Sequence, residues 1–242
     1  MAAIKDDRGF NQIFEQSRGN LVRLQRRADW MVQQMDVAPA KKLLEIGCGT
    51  GFMAHHIAQQ TKMEVLGADL CAPFIKEARA AYQLPNLSFE VLDFNKAADS
   101  IHNQFNYIVG NGILHHLYHN LDDVFITFKN LLLPGGKIIF MEPNIYNPYV
   151  AAIFKNKYLR KLTSLEPDEM AFSKQFIQRK LEKASFSNIH VQYKDFLLPG
   201  LPDALIKPFI VIGNVLEKTP ARIISQSILI TASKEKTNPA SA

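Results

Sequence analysis

The amino-acid sequence predicts an α/β fold built on a doubly wound, mostly parallel sheet. Seven short β-rich runs alternate with helical stretches once the chain has passed Pro39. The expected strands are residues 42–46, 64–68, 87–92, 107–110, 137–141, 188–196 and 225–232. Strands that alternate with helices need crossover connections, and right-handed crossovers leave a parallel sheet covered by helices on both faces.

Helices are expected where apolar residues recur at intervals of three or four. Residues 10–35 show this pattern and are expected to form one or two amphipathic helices, with a break at Gly19-Asn20. Further helices are expected over residues 51–60, 73–82, 121–132 and 173–184. The run Pro134-Gly135-Gly136 is expected to form the turn into the fifth strand, because proline and glycine end regular structure.

Composition indicates one ordinary globular domain of 242 residues, 47% hydrophobic and 21% charged. The net charge is +5, but Lys and Arg are interleaved with acids, so no nucleic-acid partner is expected. The two cysteines, Cys48 and Cys71, are expected to be free thiols. The first residues lack the apolar core of a secretory signal, and no apolar run reaches the ~20 residues that span a bilayer. We therefore expect a soluble, cytoplasmic protein.

Residues 43–51 combine a strand, a glycine-rich loop and the start of a helix, in the sequence Leu-Leu-Glu-Ile-Gly-Cys-Gly-Thr-Gly. Glycines permit a tight turn and a close approach of the backbone to a ligand, and the helix start offers unpaired N–H groups. A dinucleotide-binding loop needs glycine at its sixth position, where this chain has Phe52. The acid Glu45 would repel a pyrophosphate but suits a ligand that carries positive charge.

This loop resembles that of class I S-adenosylmethionine-dependent methyltransferases of the small-molecule type. The resemblance is strong over residues 41–142 and extends to the rest of the chain by topology. It implies a Rossmann-like, seven-stranded sheet with an antiparallel last strand, with S-adenosylmethionine as the cofactor and S-adenosylhomocysteine as the product. Within a single domain, residues 1–40 would form a helical lid, 41–142 the cofactor-binding core, 143–171 and 199–224 two substrate-side insertions, and 234–242 a flexible tail.

The resemblance also implies which residues bind the cofactor. The glycine loop would lie under the methionine half with Glu45 alongside, and Asp69 would accept hydrogen bonds from both ribose hydroxyls. Asp93 would face the adenine amino group with Phe94 against the ring, and Gly110 and Asn111 would face the methionine end. The full expected set is Glu45, Gly47, Cys48, Gly49, Thr50, Gly51, Asp69, Leu70, Asp93, Phe94, Gly110 and Asn111.

Three residues are candidates for the general base: His115, His116 and Glu142. Histidine exchanges protons near neutral pH, and the matching loop of the family covers both histidines. Tyr118 and His119 are weaker candidates. His115 and His119 would share a helix face and could bind a metal ion, but no acid or cysteine accompanies them at useful spacing. We therefore expect no metal.

The methyl acceptor is expected to bind against the two insertions, which are rich in aromatic and apolar residues. These residues suit a small or lipid-like molecule methylated at oxygen, with nitrogen or carbon less favoured. The alternative is that most of them form a local core. The apolar run 206–216, flanked by Lys207, Lys218 and Arg222, also raises the hypothesis of peripheral membrane contact through residues 199–224.

Two other functions remain open from the sequence, namely a protein methyltransferase and a cofactor-binding protein without transfer activity. The chain is expected to be a monomer or a homodimer.

Overall fold

The computed structural model describes residues 17–93, 104–162, 165 and 169–236. The first part of the predicted N-terminal helix, Phe94 and residues 237–242 of the predicted tail therefore lie outside the described residues. Lys234, at the start of that tail, donates to the main-chain oxygens of Lys129 and Leu132 and is held against the domain.

The described residues form a seven-stranded sheet with the order β3-β2-β1-β4-β5-β7-β6. The first five strands run parallel, and β7 lies antiparallel between β5 and β6. The strands are β1 (Lys42–Ile46), β2 (Glu64–Asp69), β3 (Leu87–Val91), β4 (Phe105–Asn111), β5 (Leu132–Pro143), β6 (Ser187–Lys194) and β7 (Ser227–Ser233). This arrangement confirms the predicted fold class, including the antiparallel last strand.

Helices cover both faces of the sheet. In chain order they are α1 (Arg18–Val32), α2 (Phe52–Gln60), α3 (Ala72–Ala81), α4 (Leu121–Leu131), α5 (Pro148–Lys155), α6 (Lys157–Leu162), α7 (Lys174–Lys183) and α8 (Asp203–Leu216). The described residues also contain two 3₁₀ helices, Leu114–Asn120 and Pro220–Ile224. None of the described helices has the length and apolar content needed to cross a bilayer.

The core has two layers because neighbouring residues of each strand point to opposite faces. Leu43 of β1 packs with the layer beneath α1, α2 and α3, whereas Leu44 packs with the layer that contains Phe128 of α4. Both are almost fully buried. The central strands are therefore unbroken apolar runs, because both of their faces are buried. The chain segments that follow these parallel strands lie at the same edge of the sheet.

The predicted break at Gly19-Asn20 is wrong. Helix α1 begins at Arg18, and the hydroxyl of Ser17 accepts a hydrogen bond from the main-chain nitrogen of Asn20 at 3.3 Å. The helix therefore starts here rather than breaking. Gly19 lies in its first turn, where a Cβ would stand 3.5 Å from the main-chain oxygen of Leu201.

The predicted turn at Pro134-Gly135-Gly136 is instead an irregularity within β5, which begins at Leu132. The register against β4 shifts here, from Phe105 opposite Leu132 to Tyr107 opposite Lys137. Gly135 has a φ of +78°, so the extra residues are accommodated as a bulge.

Candidate active site

The glycine loop follows β1 and leads into α2. Gly47, Gly49 and Gly51 all have positive φ, at 67°, 53° and 84°. A Cβ at Gly47 would lie 2.7 Å from Cδ1 of Ile113, and one at Gly51 would lie 2.7 Å from the ring of Phe89. Backbone conformation and packing therefore both require glycine at Gly47 and Gly51.

Cys48 and Thr50 stand between these glycines with buried side chains. Burial is the main cause that raises the pKa of the Cys48 thiol, which keeps it neutral. Both cysteines of the chain are free and buried, which confirms that expectation. In this geometry Cys48 and Thr50 would meet a cofactor through their main-chain atoms.

Asp69 braces the loop from the carboxyl end of β2. Its Oδ2 accepts a hydrogen bond from the Gly49 nitrogen at 2.9 Å, and its Oδ1 accepts one from the Cys71 nitrogen at 2.8 Å. The side chain is partly exposed. Asp69 therefore joins the end of β2 to the glycine loop.

Glu45 lies beneath the loop on β1, between Gly67 of β2 and Val109 of β4. It is only 3% exposed. Burial raises the pKa of Glu45 to about 8, and the negative charge of Asp69 adds to this effect. A hydrogen bond from the Ala54 main chain lowers the pKa but does not cancel the increase. Its Oε2 has no hydrogen-bond partner among the described residues. A buried carboxylate oxygen without a donor fits a ligand that brings an amino group to this point.

Leu70 and Asp93 follow β2 and β3, which are neighbouring strands. The main-chain nitrogen of Leu92 donates to the Asp69 oxygen at 3.1 Å and ties the two strand ends together. Leu70 is 45% exposed, and Asp93 is partly exposed. The structure therefore brings the residues expected at the ribose and adenine to one stretch of the sheet edge.

Gly110 and Asn111 end β4. A Cβ at Gly110 would lie 2.6 Å from the ring of Phe140, so this position must also be glycine. The side-chain oxygen of Asn111 accepts a hydrogen bond from Nη1 of Arg27 at 2.7 Å. Helix α1 thus reaches the end of β4, where the methionine end of the cofactor is expected.

Arg27 is a site residue that the sequence did not reveal. It is buried and also donates to Oδ2 of Asp195 at 2.8 Å and to the Ser227 hydroxyl at 2.5 Å. Burial, with the charge of Arg23 nearby, lowers the pKa of Arg27 to about 10. Burial would raise the pKa of Asp195, but the charges of Arg27 and Arg23 outweigh it and lower that pKa. This network fixes α1 against β4 and β7.

Glu142 ends β5 and is fully buried. Its Oε1 accepts hydrogen bonds from the main-chain nitrogens of Ile113 at 3.0 Å and Leu114 at 2.8 Å, and its Oε2 lies 3.0 Å from Nδ1 of His115. The carboxylate is therefore occupied in fixing the loop after β4. These contacts favour a positioning role for Glu142 over direct contact with an acceptor.

His116 has an acidic partner in Glu169, from the 143–171 insertion. Nδ1 of His116 lies 2.8 Å from Oε1 of Glu169, and Nε2 of His115 lies 3.7 Å from Oε2 of the same carboxylate. The two imidazole rings are tilted with centroids 4.2 Å apart. Glu169 is 3% exposed. No acid was expected beside the pair His115 and His119, but the fold brings Glu169 against His115 and His116 from a distant segment.

His119 and Tyr118 stand apart from this arrangement. The segment 114–120 is a 3₁₀ helix with a kink at Leu117, so residues four apart do not share a face as they would in an α-helix. His119 is exposed, and the ring of Tyr118 stacks on Phe172 and Phe176. The buried carboxylates of Glu142 and Glu169 thus lie against His115 and His116.

Comparison with known proteins shows which family this part of the chain resembles. Residues 44–138 match the family model described as a methyltransferase domain. Phosphoethanolamine N-methyltransferase 1 of Arabidopsis thaliana is 30% identical over 113 residues, which are 46% of this chain and 23% of that protein. The ubiquinone biosynthesis O-methyltransferase of Alkalilimnicola ehrlichii is 24% identical over 184 residues, 69% of this chain and 73% of that protein. The chain thus spans about a quarter of the plant relative and most of the bacterial one.

A solved structure shows the same fold. The crystal structure of a SAM dependent methyltransferase from Archaeoglobus fulgidus matches with a TM-score of 0.64 at 16% identity, covering 90% of this chain and 96% of that chain. It confirms the predicted fold, and the family match confirms the resemblance to a methyltransferase domain over residues 44–138. Residues 44–138 therefore match a methyltransferase domain, in a chain that has the fold of a SAM-dependent methyltransferase.

Proposed function

We propose that the protein transfers the methyl group of S-adenosylmethionine to a hydroxyl oxygen of a small, lipid-like acceptor. One observation carries the proposal: the glycine loop and the histidine pair share Ile113. The Ile113 side chain covers Gly47, and its main-chain nitrogen donates to Glu142, which also contacts His115. A cofactor sulfonium over the loop would thus lie beside an imidazole that can accept a proton.

The two ends of the site have distinct roles in this proposal. Glu45 would pair with the cofactor amino group, and Asp69 would hold the ribose. His115 would be the general base, because a proton on Nδ1 directed at Glu142 leaves the lone pair of Nε2 free to accept another. His116 and Glu169 would stand beside it.

In the reaction, the acceptor oxygen would form a bond to the methyl carbon as the carbon–sulfur bond breaks. The sulfur would keep that electron pair in S-adenosylhomocysteine, and the hydroxyl proton would pass to Nε2 of His115. Positioning can contribute roughly 7–11 kcal/mol to such a step. A general base adds typically about 10²–10⁴-fold.

The lipid-like character of the acceptor is inferred from the surface of α8. Ile206 and Gly213, two helical turns apart, are buried, while Val211 and Val215 on the opposite side are 64% and 59% exposed. We call the exposed apolar residues here the apolar patch: Leu205, Val211, Ile212, Val215, Ile223 and Ile224. A helix that turns an apolar side to solvent marks an interaction surface.

The apolar patch also adjoins the first insertion and carries basic neighbours. The side-chain amides of Asn144 and Asn147 donate to the main-chain oxygens of Ile223 and Ile224. Lys207, Lys218 and Arg222 are exposed around the patch. An apolar helix face with flanking cations is typical of peripheral binding to anionic membranes. Peripheral contact through residues 199–224, in a cytoplasmic protein, is therefore part of the proposal.

The ribose assignment predicts that Asp69→Ala weakens binding of S-adenosylhomocysteine by roughly 10- to 100-fold. That range corresponds to about 1.5–3 kcal/mol for a hydrogen bond to a charged group. Isothermal titration calorimetry measures it. Glu64→Ala, an exposed acid at the other end of β2, is the matched control and should bind as the wild type does. Equal affinity of Asp69→Ala and wild type would refute the assignment.

The environment of Glu45 predicts proton release when the cofactor product binds. With a pKa of about 8, Glu45 is mostly protonated at pH 7. The cationic amino group of S-adenosylhomocysteine would favour the ionised carboxylate, so binding should release about one proton. Calorimetry at pH 7 in two buffers of different ionisation enthalpy counts released protons. Glu45→Gln should release none, and equal release from both proteins would contradict the pairing.

Methyl transfer itself is tested with radiolabelled S-adenosylmethionine and three acceptors: a catechol with a polyprenyl tail, the same catechol without the tail, and phosphoethanolamine. We expect label in the tailed catechol, less in the short one, and a loss of about 10²–10⁴-fold in kcat for His115→Ala. His119→Ala should keep full activity. Label confined to phosphoethanolamine, or found in a protein substrate, would overturn the oxygen and lipid assignments.

The apolar patch predicts binding to vesicles that contain acidic phospholipid. In co-sedimentation, the wild type should pellet with vesicles of phosphatidylcholine and phosphatidylglycerol, and less with phosphatidylcholine alone. Val211→Glu together with Val215→Glu should abolish pelleting, because both side chains would enter the apolar layer. Ile126→Glu, at a 53% exposed position of α4, is the control. A wild-type protein that stays in the supernatant with both vesicles would end the membrane hypothesis.

A further inference from the structure

Two carboxylates, Glu142 and Glu169, are buried beside the imidazoles of His115 and His116, at 0% and 3% exposure. Buried carboxylates require positive charge or hydrogen-bond donors close by. Both imidazoles lie against the Glu169 carboxylate, with Nδ1 of His116 2.8 Å from Oε1 and Nε2 of His115 3.7 Å from Oε2. The structure thus gathers two imidazoles and a carboxylate in one cluster.

The two imidazole rings lie side by side, with centroids 4.2 Å apart, and both contact the Glu169 carboxylate. A histidine nitrogen offers a lone pair to a metal ion, and a carboxylate offers its oxygens. One divalent cation bound to all three side chains would place positive charge beside the buried carboxylate.

The geometry of the cluster suits such an ion. One ligand atom from each of His115, His116 and Glu169 lies within 4.8 Å of the other two. Metal–ligand bonds of about 2.0–2.2 Å place ligand atoms roughly 3–4 Å apart, so modest side-chain movement closes the site. Nε2 of His115 already lies 3.7 Å from Oε2 of Glu169.

Glu142 contacts the side of the His115 ring that would face away from the metal ion, and so orients the imidazole. Its Oε2 lies 3.0 Å from Nδ1 of His115, which directs Nε2 toward Glu169. A carboxylate in this outer position fixes the tautomer and orientation of a ligating imidazole. On the other side, Arg160 fixes the Glu169 main chain, and the Met170 nitrogen donates to the His115 oxygen at 3.4 Å. Two of the three proposed ligands, His115 and Glu169, are therefore held in place by neighbouring groups.

We propose that His115, His116 and Glu169 bind a divalent transition-metal ion, such as zinc or cobalt, with Glu142 as a positioning residue. Two imidazoles and one carboxylate form a donor set that such ions use when they keep open positions. His116 is partly exposed, so an open position would face the acceptor side. The ion would orient the acceptor oxygen at this open position. Only this orienting role rests on the proposed function, and the metal site itself does not. The proposal replaces the sequence-based expectation of no metal.

The ion and the proposed proton acceptor compete for the same nitrogen of His115. Protein freed of metal by a chelator would use His115 as the base. In the metal-bound protein the imidazole would be a ligand, and the ion would polarise the acceptor oxygen. Metal binding must therefore be measured directly rather than inferred from turnover.

The test uses the full chain, freed of metal by chelation and dialysis, and titrated with Co²⁺. Calorimetry and the visible absorption of bound Co²⁺ should show one ion per chain. His116→Ala and Glu169→Gln should weaken binding at least about 10-fold, and Glu142→Gln roughly 10- to 100-fold. His119→Ala, on the same 3₁₀ helix but exposed, should bind Co²⁺ as the wild type does.

Absence of Co²⁺ binding in the wild type would overturn the metal site, as would binding that is unchanged in both His116→Ala and Glu169→Gln. Titration of the same samples with S-adenosylhomocysteine shows that each variant is folded. It also separates the two proposals, because loss of the cofactor site would abolish that titration and leave Co²⁺ binding in place.

Discussion

The buried carboxylate of Glu142 is the contact on which the rest of the site depends. It lies at the end of β5 and accepts hydrogen bonds from the main-chain nitrogens of Ile113 and Leu114, where the chain leaves β4. A fully buried carboxylate without these donors would be costly, so the two strand ends are held in one arrangement. Because Ile113 also covers Gly47, the same contact sets the distance between the glycine loop and the histidines.

The cofactor side of the edge is built by a different carboxylate. Asp69 receives two main-chain N–H groups, from the loop after β1 and from the start of α3. Glu45 lies below it without a donor at Oε2. At this edge of the sheet, both carboxylate oxygens of Asp69 already accept hydrogen bonds. Oε2 of Glu45 has no donor among the described residues. This division of roles suits a ligand with a ribose at one end and an amino group at the other.

Local sequence predicted most of the fold because the signals for it are local. Strand β1 has the predicted bounds, and the positive φ angles of the glycine loop follow from the glycines themselves. The predicted start of β5 is wrong. Pro134-Gly135-Gly136 has the composition of a turn, and only the pairing of β5 with β4 makes this segment a bulge.

Arg27 and Glu169 could not be predicted, for a related reason. Arg27 sits among several arginines of an amphipathic helix, and its burial depends on Asp195, which lies 168 residues further along the chain. Glu169 comes from an insertion whose path the sequence pattern does not define. The histidines were therefore identified without the acid that determines their chemistry.

The most direct test of this account is a crystal structure of the protein with S-adenosylhomocysteine. We expect the amino group of the homocysteine within hydrogen-bond distance of Glu45, the ribose hydroxyls on Asp69, and the sulfur on the side of the loop that faces His115. A ligand bound in the opposite direction, with adenine at Glu45, or one whose sulfur faces away from the histidines, would contradict it.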